Sequence, residues 1–133
     1  MQVIITEWAL QSYLDLKYRG VFTNQEYRNV IRPDVNLLKS QYPGSPKFKQ
    51  SSFWGHATLQ GGQRVADGYK MKWDSIGPGR VELRLGVALL HNRVFLCRAY
   101  IKDSPIRDKR EAAKLQVHIQ IIRNQMHIER GHL

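Results

Sequence analysis

Apolar residues along the chain change spacing several times, and each change marks an element. "QVIIT" is a short β-branched strand. Residues 7 to 19 then place Trp8, Leu10, Tyr13, Leu14 and Leu16 at helical intervals, and Gly20 stops the run. A second helical stretch opens at Thr23, with Glu26 completing a capping box. It carries Tyr27, Val30 and Ile31, meets Pro33, and resumes through Val35, Leu37 and Leu38 to about Tyr42. Proline supplies no N–H and crowds the preceding turn, so Pro33 is expected to kink or split this helix. "PGSPKFKQSS" reads as a loop, and "FWGHATLQGG" as an edge strand followed by a turn.

From residue 64 the period becomes two. Strands are expected over about 64–75, 79–90 and 94–102, joined by the three-residue loops "IGP" and "HNR". Ser104 and Pro105 supply the N-cap and first position of a C-terminal helix. Ala112, Leu115, Ile119, Ile122 and Met126 form its apolar stripe, widened by Val117, Ile121 and Ile128, and Gly131 ends it. The order predicts one α+β domain over residues 1–133. It has an antiparallel sheet with an N-terminal strand, an N-terminal helix pair, a three-stranded meander and a C-terminal helix.

The strand pattern also sorts charge. If Ser75 pairs with Gly79 and Leu90 with Val94, Lys72 faces Glu82, Lys70 faces Arg84, and Asp74 meets Arg80. On the next strand Arg84 then faces Tyr100, Glu82 faces Lys102, and Arg98 faces Gly86. One sheet face thus carries Lys70, Lys72, Glu82, Arg84, Arg98, Tyr100 and Lys102, expected to be open to solvent. The reverse face carries Tyr69, Met71, Trp73, Val81, Leu83, Leu85, Phe95, Cys97 and Ile101, expected to be core. A two-residue "HN" turn would push Arg98 and Tyr100 among the leucines, a costly burial.

Charged residues on an open sheet face often serve solubility alone. Here five cations and a tyrosine surround one carboxylate, and like charges across strands repel. The cluster therefore calls for an anion, and phosphate fits an arginine fork. Net charge points the same way. The chain has 21 Lys and Arg against 11 Asp and Glu, a formal +10, which favours nucleic acid first and an acidic protein second. Cys97 is the single cysteine, so no intrachain disulfide or thiolate cluster can form. The five histidines lack metal-ligand spacing, no cofactor motif appears, and no run reaches the length of a membrane span. A cytoplasmic, metal-free protein is expected.

The element order, "GYKMKWDSIGPGR", "RVFLCRAYIKDS" and the "PIRDKREAAKL" helix resemble the RelE/ParE superfamily of toxins from bacterial toxin–antitoxin systems. The resemblance implies the fold just predicted and covers most of the chain, with extra length around residues 43–63. It implies one of two activities: RelE-like cleavage of mRNA on the ribosome, or ParE-like inhibition of DNA gyrase. It also implies an antitoxin partner, acidic and partly disordered, in a hetero-oligomer. The "YKMK" lysines are similar to the paired strand lysines of the RNase branch, Arg80 to an arginine after the glycine turn, and Lys102 to a phosphate-stabilising cation. The branch often carries a tyrosine or histidine near the last helix. "RDKREAA" has none, leaving Tyr100, His127 or His132 as substitutes.

In the nuclease reading a ribose 2′-OH attacks the adjacent phosphate without metal. Lys70, Lys72, Glu82, Arg84 and Tyr100 are the candidate catalytic residues, and Arg80, Arg98 and Lys102 the phosphate or RNA contacts. Glu82, or a lysine whose pKa is lowered by neighbouring cations, is the candidate base. Paired lysines beside a carboxylate favour this reading. The missing acid–base residue favours the alternative, a gyrase inhibitor or a non-catalytic basic nucleic-acid-binding module.

Overall fold

The computed structural model describes all residues 1–133. It is an α+β fold with an open, mostly antiparallel six-stranded sheet. The strands are β1 (Gln2–Thr6), β2 (Trp54–Thr58), β3 (Arg64–Ile76), β4 (Val81–Leu90), β5 (Arg93–Ile101) and β6 (Glu129–His132). Their order across the sheet is β2-β3-β4-β5-β1-β6. The expectation of a wholly antiparallel sheet needs correcting, because β1 pairs with β5 in parallel. The long connection from β1 to the meander allows this pairing, which no short hairpin could make.

Helix α1 (Glu7–Tyr18) is capped by Thr6, whose hydroxyl accepts from the Ala9 N–H. The next stretch comprises α2 (Asn24–Glu26), a π-helical turn (Tyr27–Ile31) and α3 (Arg32–Ser40). The Thr23–Glu26 capping box is formed. Pro33 does not split this stretch. The wide turn just before it, where the Arg32 N–H reaches Tyr27 O, makes room for a residue with no N–H to offer. Within residues 43–52, expected as loop, Pro46–Lys49 form a 3₁₀ turn that buries Phe48. Phe48 packs edge-on against Phe53 and Trp54, so this segment extends the core.

Both expected hairpin registers differ in detail. Between β3 and β4 the chain turns at Gly77–Arg80, and the Arg80 N–H bonds Gly77 O at 3.1 Å. Gly77 has φ +73, and a Cβ there would lie 1.8 Å from Val21 O, so only glycine fits. With an irregularity between Trp73 and Ile76, Lys72 faces Arg84 and Lys70 faces Gly86. The pairing moves by two residues, which preserves the faces. Between β4 and β5 the turn is the two-residue His91–Asn92, both at positive φ, and Leu90 pairs with Arg93. A bulge between the Leu85–Ala99 and Val87–Leu96 pairs then restores Arg84 opposite Tyr100.

The two-residue turn, with the bulge beyond it, re-sorts the side chains of β5. Phe95 and Cys97 leave the expected leucine face and join Ile4, Val65, Ala88 and Ile119 beneath α4 (Pro105–Arg123). Val94 and Leu96 take their place under α1 and α3, with Met71, Trp73, Leu83 and Leu85. Helices therefore cover both faces. Helix α4 ends earlier than its stripe suggests. Gln125 adopts φ +56, and the N–H groups of Gln125 and Met126 bond the carbonyls of Ile122 and Ile121. The chain then returns as β6 against β1, which leaves Met126 exposed.

Candidate functional site

Direct cross-strand pairing sets Lys72, Arg84 and Tyr100 in one row across β3, β4 and β5. Lys70 stands beside the row, opposite Gly86. This is the expected basic face, but it is not open. Helix α4 starts at Ser104, whose hydroxyl accepts from the Arg107 N–H at 3.0 Å, and lies over the face. Arg84 is 5% exposed and Tyr100 5%. The expectation that Lys70, Arg84 and Tyr100 stand in solvent is thus overturned, because the helix supplies carboxylates that make their burial tolerable.

Those carboxylates are Asp108 and Glu111, both buried. Asp108 accepts from Lys70 Nζ at 2.5 Å and from the Tyr100 hydroxyl at 2.5 Å. Glu111 accepts from Arg98 Nε at 2.9 Å, Arg107 Nε at 3.2 Å and Lys114 Nζ at 3.2 Å. Part of the anion requirement is therefore met within the chain. The sequence carries a signal for this. Asp108 precedes Ala112 by four residues and Leu115 by seven, so it sits on the apolar stripe rather than on the solvent side.

Two groups in the row keep unused capacity. Arg84 donates through NH1 to Asp74 at 3.0 Å and to Leu83 O at 3.1 Å, while its NH2 lies 3.8 Å from Glu82. Its buried Nε has no partner. Lys72 makes no ion pair, and its Nζ donates to Ser51 O at 2.8 Å. Burial and the charges of Lys70 and Arg84 lower the Lys72 pKa. Burial pulls Asp108 upward, but the bonds from Lys70 and Tyr100 and the charge of Lys102 outweigh it and hold the acid below its ordinary value. Burial and the Asp108 hydrogen bond push the Tyr100 phenol up.

The other expected residues fall into three places. Lys102 is half-buried beyond the end of β5, its N–H on Glu82 O at 2.8 Å, and its charge reaches Lys72 and Asp108. Glu82 is exposed at the rim. Arg80 stands apart in the exposed Gly77–Arg80 turn, with no side-chain bond to the row. Arg98 turns the other way, toward Glu111 and a cleft between α1 and α4.

Lys72 and Lys102 thus stand without a carboxylate partner beside a buried Arg84 that is already paired with Asp74. No group of three or more His, Cys, Asp or Glu side chains is placed to hold a metal ion. Compared with known proteins, the chain matches no family model and no curated protein.

Proposed function

We propose that this protein is a RelE-type toxin that cleaves mRNA on the ribosome by 2′-OH attack. One observation carries the reading: the Lys72–Arg84–Tyr100 row, in which a buried guanidinium keeps a free donor beside a lysine with no carboxylate partner. Lys72 has no carboxylate of its own, and Arg84, though paired with Asp74, keeps an unbonded Nε beside it, which favours an anion brought from outside. The sheet with helices on both faces and the meander before the last helix is compatible with a RelE/ParE arrangement, which is part of the proposal.

In this reading neutral Lys72 takes the 2′-OH proton, the 2′-oxygen bonds phosphorus, and the bond to the 5′-oxygen breaks. Arg84 and Lys70 balance the phosphorane charge. Lys102, free of a carboxylate, returns a proton to the leaving oxygen. Glu82 is too exposed to be the favoured base. The products are a 2′,3′-cyclic phosphate and a 5′-hydroxyl. An acidic, partly disordered antitoxin and a cytoplasmic setting belong to the same proposal; the structure itself has no helix long and apolar enough to cross a membrane.

The gyrase-type or purely binding alternative draws on a different fact. Lys70 and Tyr100 are already bonded to Asp108, so the helix shields much of the face. Lys72→Ala decides between them, because this side chain bonds only one backbone carbonyl and its loss leaves the fold intact. Cleavage of ribosome-bound message should fall about 100-fold or more, the scale of a lost general base. Growth arrest that survives Lys72→Ala together with Lys102→Ala, or loss of DNA supercoiling with no cyclic-phosphate ends, would replace the nuclease reading with the alternative.

A further inference from the structure

Glu111 gathers more charge than it can neutralise. Arg98 on β5 and Arg107 and Lys114 on α4 all bond this one carboxylate, whose side chain is 2% exposed. Three cations on one anion leave two positive charges over. The bonding is also partial, since each arginine uses only its Nε. The terminal nitrogens of both forks bond nothing else in the chain, and both side chains are more than a third exposed. A buried carboxylate thus fixes two guanidinium groups side by side with their free edges outward, which lowers the ordering cost of binding an anion.

These groups line a cleft of about 400 Å³ between α1 and α4. Tyr100, the end of the Lys72–Arg84 row, is shared between the cleft and that row. Trp8 also lines it, stacked on His118 with ring centres 3.9 Å apart. Of the two other carboxylates there, Asp15 is bonded by Arg19 at 3.1 Å, and Asp103 is exposed. Free arginine forks next to an aromatic wall suit a tetrahedral phosphate on a single nucleic-acid strand.

We infer that the cleft between α1 and α4 is a second phosphate subsite, in which Arg98, Arg107 and Lys114 hold the backbone of single-stranded RNA away from the row. The inference rests on the nuclease reading only for the identity of the strand as substrate. Glu111 is a positioning residue in it, since it touches the arginines and not the RNA.

The test is fluorescence anisotropy of a labelled 2′-O-methyl oligoribonucleotide, which cannot be cleaved, over a salt series. Arg107→Ala and Lys114→Ala each leave Glu111 two bonded cations, so melting temperature should stay close to that of the unaltered protein. Affinity should fall roughly five- to tenfold in each. The slope of log K against log salt should shrink by about 0.7 for each phosphate that the variant no longer neutralises. Unchanged affinity and slope in both variants overturn the subsite, even if Lys72→Ala abolishes cleavage. Weakened binding in both, with no RNA cleavage by the unaltered protein, leaves the subsite standing and removes the nuclease reading instead. Displacement of the RNA by an oligoglutamate peptide at equal concentration would assign the cleft to an acidic protein segment and overturn the RNA assignment.

Discussion

The two faces of the sheet solve opposite problems. Under α1 and α3, Trp73, Leu83, Leu85, Val87 and Leu96 build a core of apolar and aromatic side chains. Under α4 the core is smaller and gives way, toward the start of the helix, to Lys70, Arg84, Tyr100, Asp108 and Glu111. The first face gains stability from removing apolar area from water. The second holds charges that would cost several kcal/mol each if left unpaired. Such an arrangement contributes little net stability. On this second face the buried Arg84 Nε has no partner, and Lys72 bonds only the Ser51 carbonyl.

The largest effect tests the first face. Trp73 is 6% exposed and donates through Nε1 to Asp34 at 2.9 Å. Trp73→Ala should cost about 4 kcal/mol, chiefly through the cavity it leaves, while Asp34 keeps its bond from Lys47, read by urea denaturation. A cost below about 1 kcal/mol would mean that this face is loosely packed.

Breaking the second face should cost somewhat less, and in a different way. Asp108→Ala leaves Lys70 and Tyr100 without their shared acceptor, and about 3 kcal/mol should be lost. The pair Lys70→Met with Asp108→Leu should recover part of that, because it removes the stranded charge and leaves only the Tyr100 hydroxyl without an acceptor. Asp108 also has a pH signature. Its folded pKa is depressed, so it contributes stability above the ordinary aspartate range and loses it as pH falls through the folded value. Asp108→Asn should flatten acid unfolding below about pH 4. An unchanged slope would show that other carboxylates govern it.

His118 joins the faces through its stack on Trp8. Burial and the nearby Arg98 charge lower its pKa to about 4, and its Nδ1 has no partner. The unfolded chain therefore takes up this proton first. Stability is fully present above about pH 6.5 and declines toward pH 4. About 2 kcal/mol is expected over that window, discounted from the full shift because the ring is only partly buried. His118→Phe should keep the stack and abolish the decline. A slope that persists in the variant would assign the decline to another group.

The faces differ in legibility too. Alternation along β3 and β4 places Lys70, Lys72 and Arg84 together and Met71, Trp73 and Leu83 opposite them, as observed. That inference uses only the two-residue period. Alternation says nothing of what lies above a face, and so by itself it leaves Lys70 and Arg84 in solvent. The signal is on α4, where two acids share its inward side with Ala112 and Leu115. In β5 the period itself fails. The two-residue turn puts Phe95 and Cys97 on the α4 side, the bulge returns Ala99 and Ile101 to the other, and no residue type in "RVFLCRAYI" marks the bulge. Strand β6 is hidden in the sequence because Met126 and Ile128 continue the spacing of the helix stripe past its true end.

The smallest effect concerns how that bulge is tied to its turn. His91 and Asn92 both hold left-handed φ near +57 and +56, a geometry that glycine adopts more readily than either. The turn and the bulge shift β5 in compensating directions, so Arg84 meets Tyr100 only if both persist. Asn92→Gly should favour the two-residue turn and stabilise the protein by about 0.5 kcal/mol, because the left-handed strain is relieved at an exposed site. Nothing beneath α4 should change, and the acid-unfolding slope attributed to Asp108 should match that of the unaltered chain. If the longer "HNR" loop were instead the stable form, glycine at 92 would give no gain. Arg93 would then lose its place opposite Leu90, and with it the bonds its NH2 donates to Glu129 at 3.0 and 3.1 Å. A melting temperature that falls in Asn92→Gly would therefore show that the longer loop is the stable turn, and that the row across β3, β4 and β5 takes another register.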